Sequence, residues 1–198
     1  MKRAVIAILA LGSISCGEMT RQGTGSSYVL ISALEGASGA DDQEFGGTLS
    51  SDVITLVEVD GVKVPTIFSD PARVDFQLVL KDPGPPGSPA SPAPPNWVTF
   101  DRYRVRYVRS DGRNQEGVDV PYGFDGAFTV TVSDSASAGF TVVRLQAKME
   151  APLQALAATG NIISTIAELT FYGRDQTGRE VIATGRMSIN FGDYADPE

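Results

Sequence analysis

Residues 162–191 read IISTIAELTFYGRDQTGREVIATGRMSINF, and their alternation decides the fold. Ile163, Thr165, Ala167, Leu169 and Phe171 fall on one face of an extended chain, with Ser164, Glu168, Thr170 and Tyr172 opposite. Beyond the polar loop that follows, Val181, Ala183, Gly185, Met187, Ile189 and Phe191 face one way. Glu180, Ile182, Thr184, Arg186, Ser188 and Asn190 face the other. A period of two is that of a strand, and two such runs joined by a short Asp/Gly loop predict an antiparallel hairpin with one buried face. A hairpin with one apolar face is not stable alone in water, so the rest of the chain must supply a second layer. The expectation is a two-sheet β-sandwich.

Working outward, strands are predicted over 28–34, 52–59 and 62–68, around Val74, Phe76, Leu78 and Leu80, and over 97–109. Asp60-Gly61 between two of them suits a type I′ turn, and Pro65 marks an edge strand or a bulge. Val98 and Phe100 share a face, but Tyr103, Val105 and Tyr107 continue with flipped parity, which predicts a β-bulge near Asp101. Ser110-Asp111-Gly112 and Asp125-Gly126 read as turns. Residues 118–122, Phe128 with Val130 and Val132, and 140–148 read as further strands. Residues 151–158 carry the only helical character, with Pro152 in the first turn and Gly160 as the stop. About eight to ten strands at this spacing, with Gly/Pro/Asp turns, give an all-β class: an Ig-like two-sheet antiparallel β-sandwich with a short helical turn near 151–158.

The segment ELTFYGRDQTGR at 168–179 resembles the strand-plus-turn near the end of many bacterial Ig-like and fibronectin-type surface domains. The Cys…Trp…Cys pattern of true Ig domains is absent, since the chain holds one cysteine. Fold resemblance does not carry function.

The N-terminus reads as an export signal: Lys2 and Arg3, then an apolar run over 4–11 too short to span a bilayer. Gly12-Ser13-Ile14-Ser15-Cys16 resembles the lipobox of bacterial lipoproteins, in which cleavage precedes a cysteine that becomes diacylated. The match departs from the family at Ser13, where leucine is usual, and Ser13 with Ser15 also suits an ordinary signal peptidase. Lipidation would consume a lone thiol that is a liability in an oxidising compartment. Gly17 in place of aspartate resembles the sorting rule that sends lipoproteins to the outer membrane. The division expected is a signal peptide at 1–15, lipidated Cys16 and a tether over 16–27, one sandwich over 28–192, and an acidic tail at 193–198. Ten flexible tether residues reach about 16–19 Å.

The chain has 198 residues, is 42% hydrophobic and 20% charged, and carries a net charge of −8. That composition fits one folded domain and argues against a nucleic-acid partner, whose phosphates need a basic surface. Histidine is absent, which removes the usual general base and the commonest metal ligand. With no G-x-S-x-G, P-loop or Rossmann glycine pattern, the expectation is a non-enzyme without a cofactor. A pair of hydrolytic carboxylates cannot be located in the sequence.

Two surfaces are candidates for a protein partner. Over 82–96, Pro83, Pro86, Pro89, Pro92 and Pro95 recur every third residue, the repeat of a polyproline II helix with all five on one face, and Trp97 follows. The plainer reading of that stretch is a stiff crossover between sheets. Arg102, Arg104 and Arg106 project outward together as a basic row on an acidic protein, suited to an acidic partner, phosphate or anionic glycan, or else a solvated face balanced by neighbouring carboxylates. Asp41, Asp42 and Glu44, or Asp193 and Asp196, are weak candidates for calcium, lacking the spacing of known loops. The function expected is a binding or structural module in protein–protein assembly at the cell envelope, anchored to the membrane by lipid. The alternative is a small-ligand module taking glycan or Ca²⁺ through the loops at a sandwich end.

Overall fold

The computed structural model describes residues 25–40 and 44–194. The expected signal peptide, Cys16, most of the expected tether, Asp41, Asp42 and Asp196 lie outside the described residues. The described residues form ten strands: β1 (Ser27–Gly36), β2 (Thr48–Asp52), β3 (Thr55–Val59), β4 (Val62–Thr66), β5 (Asp70–Leu80), β6 (Val98–Val108), β7 (Phe124–Val132), β8 (Ser135–Val143), β9 (Ile163–Asp175) and β10 (Glu180–Gly192). A small sheet in the order β1-β5-β8 faces a large sheet in the order β2-β10-β9-β6-β7, and β3-β4 form a separate two-stranded ribbon. The fold is an all-β sandwich.

The deciding hairpin is β9-β10, paired antiparallel from Ile163↔Phe191 to Arg174↔Glu180. Its turn is closed by the Asp175 carboxylate, which accepts from the Thr177 and Arg179 amides at 2.9 Å each. The inward positions Ala167, Leu169, Phe171, Ile189 and Phe191 are buried as the alternation predicts. Across the layers, Phe76 of β5 stacks on Phe100 of β6 at 4.6 Å and meets Phe171 edge-on at 5.2 Å. The Tyr103 and Tyr107 hydroxyls of β6 donate to the Thr141 and Val142 carbonyls of β8 at 3.1 and 2.6 Å, joining the sheets by polar as well as apolar contact.

Local chemistry explains the details. Asp60 and Gly61 have φ of +51° and +79°, as a type I′ turn requires. Pro65 sits on β4, whose only partner among the described residues is β3. The pairing of β6 with β9 shifts between Phe100 and Arg102, so the bulge falls at Asp101; against β7 the register shifts at the same place, with the extra residue on β7.

Four expectations are corrected. The sandwich is not wholly antiparallel: β2 runs parallel to β10, a strand far away in sequence whose direction no hairpin dictates. Asp125-Gly126 is not a turn but part of β7. Gly126 lies opposite Tyr103, and a Cβ there would come within 2.2 Å of the Tyr103 ring, so the glycine makes room for an aromatic side chain. Residues 118–122 form no strand, only the isolated bridge Glu116↔Val120. Over 140–148 the strand ends at Val143, and Leu145–Met149 is a short helix, α1. The helical turn expected near 151–158 is the 3-10 segment Leu153–Leu156.

The reason for α1 is electrostatic. Its Lys148 is 1% exposed and its Nζ lies 2.8 Å from Oδ1 of Asp70, which is wholly buried at the start of β5. The same carboxylate accepts from the Gly39 amide at 3.0 Å and the Ser51 hydroxyl at 2.6 Å. Four segments far apart in sequence therefore meet on one carboxylate. Burial raises the Asp70 pKa, and Lys148 opposes that rise. Removing one member of a buried pair strands the other charge and costs about 3–5 kcal/mol. Lys148→Met is therefore expected to lower unfolding free energy by about that amount. The double variant Asp70→Asn/Lys148→Met, which keeps an acceptor oxygen for the Gly39 amide and offers an NH2 donor to the Ser51 hydroxyl as acceptor, is expected to recover much of it; urea denaturation of both variants checks this.

Candidate functional site

On β6, Tyr103, Val105 and Tyr107 point into the core, so Arg102, Arg104 and Arg106 point out of the large sheet. The row is exposed as its parity predicts. Its neighbours treat the three arginines differently. The Arg102 guanidinium lies 4.3 Å over the Tyr172 ring, a cation–π contact rather than an ion pair. Arg106 shares the single carboxylate of Glu168 with Arg186, at 3.8 and 2.8 Å. Arg104 stands in register with Thr170 on one side and Asp125 on the other, and no ion pair of Arg104 is found among the described residues. Arg174 completes the face, 3.8 Å from Glu180.

Two depressions lie on this face. One of about 610 Å³ is bordered by Asp101, Arg102, Tyr172, Arg174 and Ile182. The other, of about 480 Å³, is bordered by Glu168, Thr170, Thr184 and Arg186. The Tyr172–Ile182 pair floors the first and the neighbouring Thr170–Thr184 pair floors the second, so the two depressions adjoin along β9 and β10. Short threonine side chains leave the depression, and long arginine side chains wall it.

The proline segment has another shape than its spacing suggests. Gly84 and Gly87 adopt φ of +79° and +95°, the Ser88 amide donates to the Pro85 carbonyl at 3.0 Å, and the Ala90 amide donates to the Pro83 carbonyl at 2.8 Å. Polyproline II has no internal hydrogen bonds, so Pro83, Pro86, Pro89, Pro92 and Pro95 do not share one face of such a helix. The segment folds as a compact loop connecting β5 of the small sheet to β6 of the large one, ending in the 3-10 turn Pro94–Asn96. Asn96 holds it to the start of β1, accepting from Ser27 Oγ at 3.0 Å through its carbonyl. Trp97 is half-buried, its carbonyl accepting the Gln176 amide at 3.2 Å. The prolines and the arginine row thus occupy different places, an end loop and a sheet face.

The acidic candidates do not form a metal centre: among the described residues no three His, Cys, Asp or Glu side chains converge. Glu44 is exposed, and the Asp193 carboxylate caps the Ala158 amide.

Sequence reasoning missed the loop over 109–123, of which it read only the Ser110-Asp111-Gly112 turn and a strand that does not form. Asp111 organises it, accepting from Arg109 Nη2 at 2.6 Å and from the Arg113 amide and Nε at 3.1 Å each. Asn114 accepts the Arg109 amide at 2.6 Å, and Glu116 the Gly123 amide at 3.2 Å. Repeated Arg and Asp around Gly112 were the available signal. The loop presents Val118 and Tyr122, 59% and 51% exposed. It shares one end of the sandwich with the β3-β4 ribbon and the α1 connection. Val59, Val62, Val64, Leu145, Met149 and Ile162 are exposed on those elements, so this end holds most of the large apolar side chains left in solvent. The start of β1, the proline loop and the β9-β10 turn are at the opposite end.

No family model, curated protein or solved structure matches this chain. Among the described residues no helix is long and apolar enough to cross a membrane.

The Asp111 pKa is held down to about 2, first by its bond from Arg109 and then by the Arg113 amide. A carboxylate with a depressed pKa contributes to the folded loop above the ordinary carboxylate range and loses that contribution as pH falls through its own pKa. An NMR titration is expected to place the Asp111 midpoint near 2, and Arg109→Gln to move it up toward the usual carboxylate value.

Proposed function

We propose that this chain is an exported lipoprotein of the cell envelope, anchored through Cys16, whose sandwich serves as a non-enzymatic module in protein–protein assembly. The observation that carries the reading is the arginine row. Five arginines (Arg102, Arg104, Arg106, Arg174 and Arg186) gather on one sheet face with four carboxylates (Asp101, Asp125, Glu168 and Glu180), in a chain of net charge −8. The face is one positive charge in excess on a chain that is otherwise strongly acidic, and that contrast gives a docking partner encounter rate and orientation. An anchor preceding β1 leaves the domain at the end that holds the proline loop. The arginine face then stands along the flank and the apolar end points away from the bilayer. The proline loop, folded on itself and pinned by Asn96, is the weaker of the two surfaces, so the arginine face leads.

Two measurements test the reading. Labelled palmitate is expected to enter the wild-type protein and not Cys16→Ser; equal labelling of both removes the anchor. In-cell crosslinking and pull-down is expected to recover a specific protein with the wild type and with a variant whose residues 83–95 are replaced by Gly/Ser. Arg102→Glu/Arg104→Glu is expected to lose it. A partner kept by the arginine variant and lost with the proline loop would move the interface to that loop.

A further inference from the structure

Resting on the assembly reading, we infer that the partner's contacting segment is an extended acidic peptide lying over β9 alongside β6, with alternate carboxylates meeting Arg102, Arg104 and Arg106. Alternate residues of a strand recur at roughly 6.6–6.8 Å, so the three arginines form a line with the same repeat as alternate side chains of an extended peptide. A peptide aligned with β6 keeps that register over all three positions and follows the twist of the strand.

The charge is available where the register needs it. Arg104, in the middle of the row, has no ion pair among the described residues, and Arg102 is held by a ring rather than a carboxylate. Arg106 and Arg186 divide one carboxylate between them, so an incoming acid completes a pair there without displacing Glu168. Arginine suits the task, since its planar fork takes a carboxylate in two parallel bonds. Asp125 lies beside Arg104 on β7, and Asp101 and Glu180 border the depression next to Arg102, so these carboxylates disfavour an acid placed off the arginine row.

The floor favours a peptide over an anionic glycan. Sugar rings bind by stacking on open aromatic faces, but the one ring here, Tyr172, is already covered by the Arg102 guanidinium at 4.3 Å. Thr170 and Thr184 offer hydroxyl groups and little height, and the 42% exposed Ile182 offers an apolar contact for side chains between the acids.

The test uses the purified full chain and a fluorescent peptide of alternating Glu and Thr, read by anisotropy. Saturable binding that weakens steeply with added salt is expected. The exposed substitutions Arg102→Glu and Arg104→Glu are each expected to weaken it about tenfold, as loss of roughly 1.4 kcal/mol implies. The Lys-for-Glu peptide is expected not to bind. Absence of saturable binding, binding unchanged in Arg102→Glu/Arg104→Glu, or tighter binding of polygalacturonate than of the peptide would each overturn the inference. If the crosslinked partner is lost in the arginine variant while the acidic peptide does not bind, this inference fails and the assembly reading stands. If neither responds to the arginine variant, both fail.

Discussion

Phe171 is the side chain on which both layers close. It meets Phe76 and Phe140 of the small sheet and Tyr103 and Phe128 of its own sheet, at ring distances between 5.2 and 6.4 Å. Aromatic contacts of this kind have geometric demands beyond area, and a strand that slips by one residue exchanges its two faces completely. Locking Phe171 inward therefore fixes Thr170 and Tyr172 outward. The pairing of β9 with β6 then fixes the arginines beside them. The surface chemistry of the large sheet follows from the packing of its buried face.

The second fixed point is the Asp70 carboxylate, which gathers β2, β5, α1 and the Gly39 loop without any contribution from apolar area. Hydrophobic contact is tolerant of small rearrangements, whereas a buried ion pair with two further donors accepts a single arrangement. The two devices divide the work. The aromatic cluster holds the sheets together along their length, and the ion pair positions the irregular connections at one end, where the exposed apolar side chains and the long loop over 109–123 also lie.

What the sequence made legible is whatever repeats with a period of two. The β9-β10 hairpin, the bulge at Asp101 and the outward direction of Arg102, Arg104 and Arg106 all come from parity alone. Dipeptide signals were less secure. Asp60-Gly61 forms its turn, while Asp125-Gly126 runs straight through β7, because the second glycine is claimed by the Tyr103 ring, which is distant in sequence. Likewise, α1 replaces the end of the strand predicted over 140–148, where Lys148 reaches Asp70, 78 residues away. The proline repeat failed for a local reason: Gly84 and Gly87 between the prolines permit positive φ and let the segment fold back on itself. The outward arginines were visible in the sequence, but their unequal neutralisation depends on which strands lie beside β6, and parity does not reveal that.

The opposed placement of the chain's entry and of the far-end loops has a mechanical side. Ser27 enters at one end and β10 delivers Gly192 and Tyr194 to the other. A pull at Ser27, with the far end held, runs parallel to the strands. The hydrogen bonds of the β1-β5 ladder, spread from Ser27↔Leu80 to Gly36↔Ala72, then share the load in shear instead of opening one after another like a zip. A domain loaded this way resists traction along its long axis and yields more readily to a force across it.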